Sequence, residues 1–163
     1  MTKKYILITI KGSQMIVEGI NLLPILPAVI LSMMIGAVWY SLFAKPWMAS
    51  TGLTENDIRP KDANGAAIKQ SPMPYIVAFI AQLVLALTLA GLMEHIGEIT
   101  ILNGIITSLF AWAGFVVAPM AVNHRFQMKP WLLTIIDAGH WLIVFLAQGI
   151  TIGALGSGPI NLV

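Results

Sequence analysis

Long apolar stretches separated by short polar links set the pattern of this chain. Runs free of Asp, Glu, Lys and Arg extend from Gly19 to Ala44, from Gln70 to Met93 and from Ile99 to His124. A last run from Pro130 to the C-terminus is broken only by Asp137. A helix needs about 20 mainly apolar residues to cross the hydrocarbon core, so the pattern predicts spans near 20–43, 75–96, 99–122 and 131–155. An Asp costs roughly 3 kcal/mol at a helix centre, while each Leu, Ile, Val or Phe returns roughly 0.3 to 0.6 kcal/mol. The fourth run is rich enough in those residues to insert despite Asp137. The expected fold is all-α: a polytopic membrane protein, one membrane domain over residues 1–163, with four transmembrane helices in a compact bundle.

The links constrain the arrangement. "GEI" after the second span is short enough to force an antiparallel hairpin, and "NHRFQMKP" joins the third span to the fourth. The loop at 44–74 is long for a structureless connection. Its "TEND" places Asp57 three residues after Thr54, which resembles a capping box, with Pro60 to stop the helix soon after. The N-terminal segment has a basic start but only a short apolar run before Lys11, a poor signal peptide that is expected to stay on the chain. Its Ile6, Leu7, Ile8, Ile10, Met15, Ile16 and Val17 could form a helix lying in the interface, with strand or disorder as alternatives.

Basic residues set the expected orientation. Lys45, Arg59, Lys61, Lys69, Arg125 and Lys129 lie in the first and third links, and Lys3, Lys4 and Lys11 lie on the other side. Six against three puts both links in the cytoplasm and both termini outside, in a multi-pass protein of the cell membrane. Trp39, Tyr40, Trp47, Tyr75 and Trp131 mark the same end, as an interfacial belt would or as the wall of a pocket.

Composition agrees with the pattern: 58% of residues are hydrophobic and 10% charged, against about 25% charged in soluble domains. The formal charge of +2 comes from scattered residues that form no basic stripe, so nucleic acid is not an expected partner. There are no cysteines, which excludes disulfide frameworks and thiol nucleophiles.

Helices in lipid associate through small residues that let backbones approach. Ala28, Ser32 and Gly36 recur at fourth positions in the first span, and Ala78, Gln82, Ala86 and Ala90 in the second. Gly104 and Ser108, then Ala111, Gly114 and Ala118, give the third span a small face. These ladders predict interhelical packing, and one of them could instead be a dimer interface.

On the fourth helix Asp137 and His140 lie 60° apart at 100° per residue, with Thr134, Gln148 and Thr151 nearby. An ionisable group facing lipid is expensive, so this stripe should face the bundle interior, where Gln82, Asn103 and Thr107 are candidate partners. Asp137 is about 9 Å along the axis from Trp131, and His140 lies nearer the midplane. Two readings stay open: a proton or ion relay, and a hydrogen-bonded clasp between helices. A metal would need more ligands, with His124 or the pair Glu94 and His95 as the only additions, and no ligand motif is present. No nucleophile motif, phosphate-binding glycine loop or paired carboxylates appear, so no cofactor is implied and an enzyme is the minority reading.

"GAVWYSLFAKPW" from Gly36 to Trp47, "NHRF" from Asn123 to Phe126 and "LTIIDAGHWL" from Leu133 to Leu142 resemble the motifs of the bacterial membrane family called domain of unknown function 1761. The resemblance covers most of the chain and implies four membrane helices, without supplying an activity. In that family the position of His140 is often Tyr, which makes Asp137 the family-like feature and His140 a departure. All three motifs map to one end, gathering Trp39, Tyr40, Asn123, Arg125, Asp137 and His140 as the candidate site. There Arg125 could meet Asp137 or an anionic lipid headgroup, and Trp39 or Tyr40 could stack on an entering group.

The expected function is a small permease-like or ligand-binding bundle with a buried Asp site. The alternative is an accessory or scaffold subunit of a larger membrane complex. Expected partners are membrane lipids, with a homo-oligomer or larger complex as the protein-level alternatives.

Overall fold

The computed structural model describes residues 8–11, 14–17 and 20–156. Three short antiparallel strands come first, β1 (Ile8–Lys11), β2 (Gln14–Val17) and β3 (Ile20–Asn21), with Ile8 opposite Val17 and Ile16 opposite Asn21. Over these residues the strand alternative holds and not the interfacial helix, while Ile6 and Leu7 lie outside the described residues. The run Ile8-Thr9-Ile10-Lys11 alternates apolar and polar with β-branched residues, a period of two that suits a pleated strand better than a helix face.

The helices follow as α1 (Ile25–Leu42), α2 (Ala44–Thr51), α3 (Glu55–Ile58), α4 (Met73–Ile96), α5 (Ile101–Ala111), a π-helical stretch at Trp112–Val117, α6 (Ala118–Phe126) and α7 (Trp131–Gly156). Among the described residues, four continuous helices are long and apolar enough to cross a membrane: α1, α4, the joined third span Ile101–Phe126, and α7. The first span starts later than its apolar run because Asn21 pairs in β3 and Pro24 sits at the helix N-cap, where a missing backbone donor does least damage. The third span widens into its π stretch just ahead of Pro119. Proline cannot donate to the carbonyl one turn back, and a wider turn accommodates its ring.

In the first link, Thr54 caps α3. Its hydroxyl accepts from the Asp57 amide, and Asp57 Oδ2 accepts from the Thr54 amide at 2.8 Å, completing the capping box. Hydrogen bonding by the Thr54 side chain, then by its backbone, holds the Asp57 carboxyl below the usual range. The helix ends before Pro60, as its sequence predicts.

The fourth span is the central column. In its best apolar window 44% of residues are buried, against 17 to 28% in the other three, so the polar stripe on α7 has to be met by neighbouring helices. Three features hold those neighbours. An apolar cluster at the hairpin end joins Ile25, Val29, Leu89, Met93, Ile99 and Ile152. A polar clasp sits nearer the middle, where Gln148 Nε2 donates to Ser32 Oγ and to Gln82 Oε1, both at 3.0 Å. The third feature is a backbone contact between α5 and α7, where Gly104 lies against Gly149 and Thr100 against Gly153. Ser108 Oγ adds a hydrogen bond to the Phe145 carbonyl at 2.7 Å across the same seam. Most of the expected ladder positions are used inside the chain: Ala28 and Ser32 on α1, Gln82, Ala86 and Ala90 on α4, and Gly104, Ser108 and Ala111 on α5 are buried, whereas Gly114 and Ala118 farther along the third span are exposed.

Candidate functional site

At the end of the bundle where α1 meets α2, the carboxylate of Asp137 is met from three directions. Tyr40 Oη, in the last turn of α1, donates to Asp137 Oδ1 at 3.0 Å. Trp47 Nε1 on α2 donates to the same oxygen at 3.2 Å. His124 Nε2 on α6 stands 4.0 Å from the other oxygen, Oδ2, the outer limit of an ion pair. Oδ1 is thus held twice, and Oδ2 has no hydrogen-bond donor at bonding distance. Asp137 and His124 each keep about a sixth of their side-chain surface exposed, 17% and 15%, so the centre is open to the loop end.

The surrounding side chains fix this geometry. Trp39 Nε1 donates to the Ile136 carbonyl at 3.1 Å, and Trp112 Nε1 donates to the Ala138 carbonyl at 2.8 Å. Two indoles from different spans therefore pin α7 on either side of Asp137. Gly139 leaves room for the first of them, since a Cβ there would lie 3.0 Å from the Trp39 ring and the ring would have to give by a few tenths of an ångström. The spacing Asp-Ala-Gly in the motif thus has a physical meaning: the carboxylate binds Tyr40 and Trp47, and the glycine makes room for Trp39. Tyr40 and Trp47 also meet edge to face, with centroids 5.8 Å apart, a favoured aromatic arrangement.

A second arm runs outward from His124. Its Nδ1 lies 3.0 Å from Thr134 Oγ1, which also accepts from Arg125 Nη2 at 3.2 Å. With Thr134 donating to Nδ1, the imidazole presents Nε2–H to Asp137. The result is a connected polar line from Arg125 through Thr134 and His124 to Asp137, suited to holding a proton or a hydrogen-bonding ligand at Oδ2. Lys129 Nζ donates to the Thr51 carbonyl at the end of α2 at 2.9 Å, tying the third link to the first. Met128, at φ 55°, adopts the left-handed conformation that closes α6 and turns the chain toward Lys129.

The structure brings together Trp39, Tyr40, Asp137 and His140, and places Arg125 one step away. Arg125 meets Thr134 and the Trp131 ring rather than Asp137, whose nearest basic side chain is His124. Asn123 is exposed on α6, and its side chain takes no part in the cluster. The stripe's expected partners also divide: Gln82 binds Gln148, while Asn103 serves the hairpin by donating from Nδ2 to the Glu98 carbonyl at 2.7 Å. Trp47, His124 and Thr134 are direct members that sequence reasoning treated as an anchor, a metal candidate and a flank. Trp112 was missed, for an indole that reaches a backbone carbonyl leaves no motif. Among the described residues no group of three or more His, Asp and Glu stands close enough to hold a metal ion.

The family described as Protein of unknown function (DUF1761) matches residues 23–153. The chain belongs to this family. No curated protein and no solved structure matches the chain. The matched region of this DUF1761 protein takes in the first three spans, the fourth as far as residue 153, and every member of the cluster around Asp137.

His140 stands apart. It is 5% exposed, its ring packs on Tyr40 with centroids 4.9 Å apart, and neither of its nitrogens has a hydrogen-bond partner. Gly36 leaves just enough space for it, since a Cβ there would lie 3.3 Å from Nε2. An unpaired buried polar group costs about 1–3 kcal/mol. His140→Leu, of similar volume, is therefore expected to unfold no more easily than the native chain in detergent, and to gain up to about 1 kcal/mol. A loss beyond about 1 kcal/mol in equilibrium unfolding would show that the imidazole has a partner, such as a buried water.

Proposed function

We propose that this integral membrane protein is a ligand-binding bundle whose recognition centre is Asp137 at the α2 end, and that it does not form a conduit. The observation that carries this reading is the asymmetry of the carboxylate: Oδ1 is doubly held, while Oδ2 faces His124 across 4.0 Å in a partly exposed setting. A fixed carboxylate with one open oxygen, walled by Tyr40 and Trp47, suits a hydrogen-bond donor or a small organic cation. The polar groups along α7 support the absence of a path. Val144, fully buried, lies between His140 and the Gln148 clasp, so among the described residues of α7 the polar side chains are interrupted there. The α2 end is proposed to be cytoplasmic, on the weight of the six Lys and Arg residues in the links there.

The absence of native cysteine makes the test direct. Single cysteines at positions 124 and 148 are exposed in membranes to an impermeant maleimide applied from either face. Labelling at 124 from the α2 side only, with 148 protected from both, is the expected result. Labelling at 148 would reveal a water path and overturn the reading. A second function, as an accessory subunit, is favoured by the third span, the least buried of the four, which exposes Phe110 and Phe115. That reading requires a membrane-protein partner at fixed stoichiometry after extraction in mild detergent.

A further inference from the structure

Arg125 carries its charge at the α2 end without a carboxylate to meet it. Its Cζ lies 3.9 Å over the centre of the Trp131 ring, Nη2 donates to Thr134 Oγ1, and Nε is buried without a hydrogen-bond partner. Among the described residues no carboxylate oxygen lies within 4.0 Å of the Arg125 guanidinium. Stacking and the Thr134 bond hold the guanidinium in one orientation, which reduces the entropy lost when it binds a planar or tetrahedral oxyanion.

The location selects the chemistry. Arg125 is in the last turn of the third span and Trp131 is the first residue of the fourth, where lipid headgroups begin. Phe126, Met128, Trp131 and Leu132 are exposed around it. Apolar and aromatic side chains at such a level belong in the interfacial layer rather than in water. An arginine fork at that depth matches two oxygens of a phosphodiester, and unlike an ammonium it does so with fixed geometry.

We infer that Arg125 and Trp131 form a headgroup site for an anionic phospholipid, with phosphate oxygens on the guanidinium and acyl chains along the exposed flank of Trp131 and Leu132. This site adjoins the Asp137 centre through Thr134 and stands whether or not that centre binds a ligand.

The test uses the full chain in nanodiscs of mixed phosphatidylglycerol and phosphatidylcholine, with retained lipid counted by native mass spectrometry. The native chain is expected to retain phosphatidylglycerol over phosphatidylcholine about tenfold more strongly than Arg125→Gln. Arg125→Lys, which keeps the charge but loses the fork, should fall between them, and it supplies the readout if the glutamine variant does not fold. Lys69→Gln removes the same charge from an exposed loop and should change nothing. Equal retention by Arg125→Gln and the native chain, or an equal loss in Lys69→Gln, would sink the assignment. Inorganic phosphate titrated into discs of phosphatidylcholine alone separates the sources. Saturation at Arg125 by free phosphate as readily as by the lipid would make this a phosphate site and overturn the lipid assignment.

Discussion

Gly149→Ala is expected to destabilise the bundle by about 3 kcal/mol, near the upper end of the usual cost of overpacking. A Cβ at Gly149 would overlap Ser108 Oγ and the Gly104 carbonyl. Gly104 and its neighbours belong to a regular helix, so relief requires moving the axis of α5 away from α7. That movement would also break the hydrogen bond from Ser108 to the Phe145 carbonyl, and it would loosen the contact of Gly153 with Thr100 farther along the seam. In lipid no hydrophobic force between helices replaces such contacts, since the association relies on close packing and hydrogen bonds. Gly114→Ala is the internal control. Nothing lies within 4 Å of a Cβ there, and an outward alanine should change stability by no more than about 0.5 kcal/mol. Equilibrium unfolding in mixed micelles compares the two, and equal stability of both variants would contradict the packing described for α5 and α7.

The second large effect is expected at Asp137. Asp137→Ala leaves Tyr40 Oη and Trp47 Nε1 without their acceptor. An unsatisfied buried donor costs about 1–3 kcal/mol, and the partial exposure of this centre places the expected total near 2 kcal/mol. Asp137→Asn keeps an oxygen in the place of Oδ1 and should lose about 1 kcal/mol, the difference between a charged and a neutral acceptor. The loss should also be local. Because Trp47 is the contact between α2 and this carboxylate, hydrogen exchange in Ala44–Thr51 should accelerate in Asp137→Ala while the hairpin-end cluster around Leu89 and Met93 stays protected. A cycle with Tyr40→Phe isolates the pairwise part, expected to be about 1 kcal/mol. Additivity of the two substitutions, or unchanged exchange in α2, would show that the carboxylate does not hold this end together.

Much of this architecture was legible along the chain. Apolar run length is a local property, and the need to satisfy every backbone group in lipid leaves helices as the answer; hence four spans, a tight hairpin and a capped α3 could be read from the residues. The small ladders on α1, α4 and α5 were legible for the same reason, since close approach in lipid requires small side chains wherever it occurs. The N-terminal segment was not. Its apolar residues fit both periods over so few positions, and the pairing of Ile8 with Val17 and of Ile16 with Asn21 decided for strands.

The Asp137 centre divides along the same line. That an intramembrane carboxylate must face inward followed from the cost of lipid exposure. Which groups would meet it did not, because Tyr40 and Trp47 come from 97 and 90 residues away in the chain and a side-chain direction depends on how the helices rotate. The tertiary structure sent Arg125 to Trp131, gave Asp137 to His124, and left His140 with no hydrogen-bond partner beside Gly36. Sequence alone determined the number of spans, the inward stripe and the end where the aromatic and basic residues gather, since hydrophobicity and spacing act residue by residue. Only the packing of α1, α2 and α6 around α7 decided which donors reach the carboxylate, because a hydrogen bond needs donor and acceptor about 3 Å apart in space, whatever their spacing in the chain.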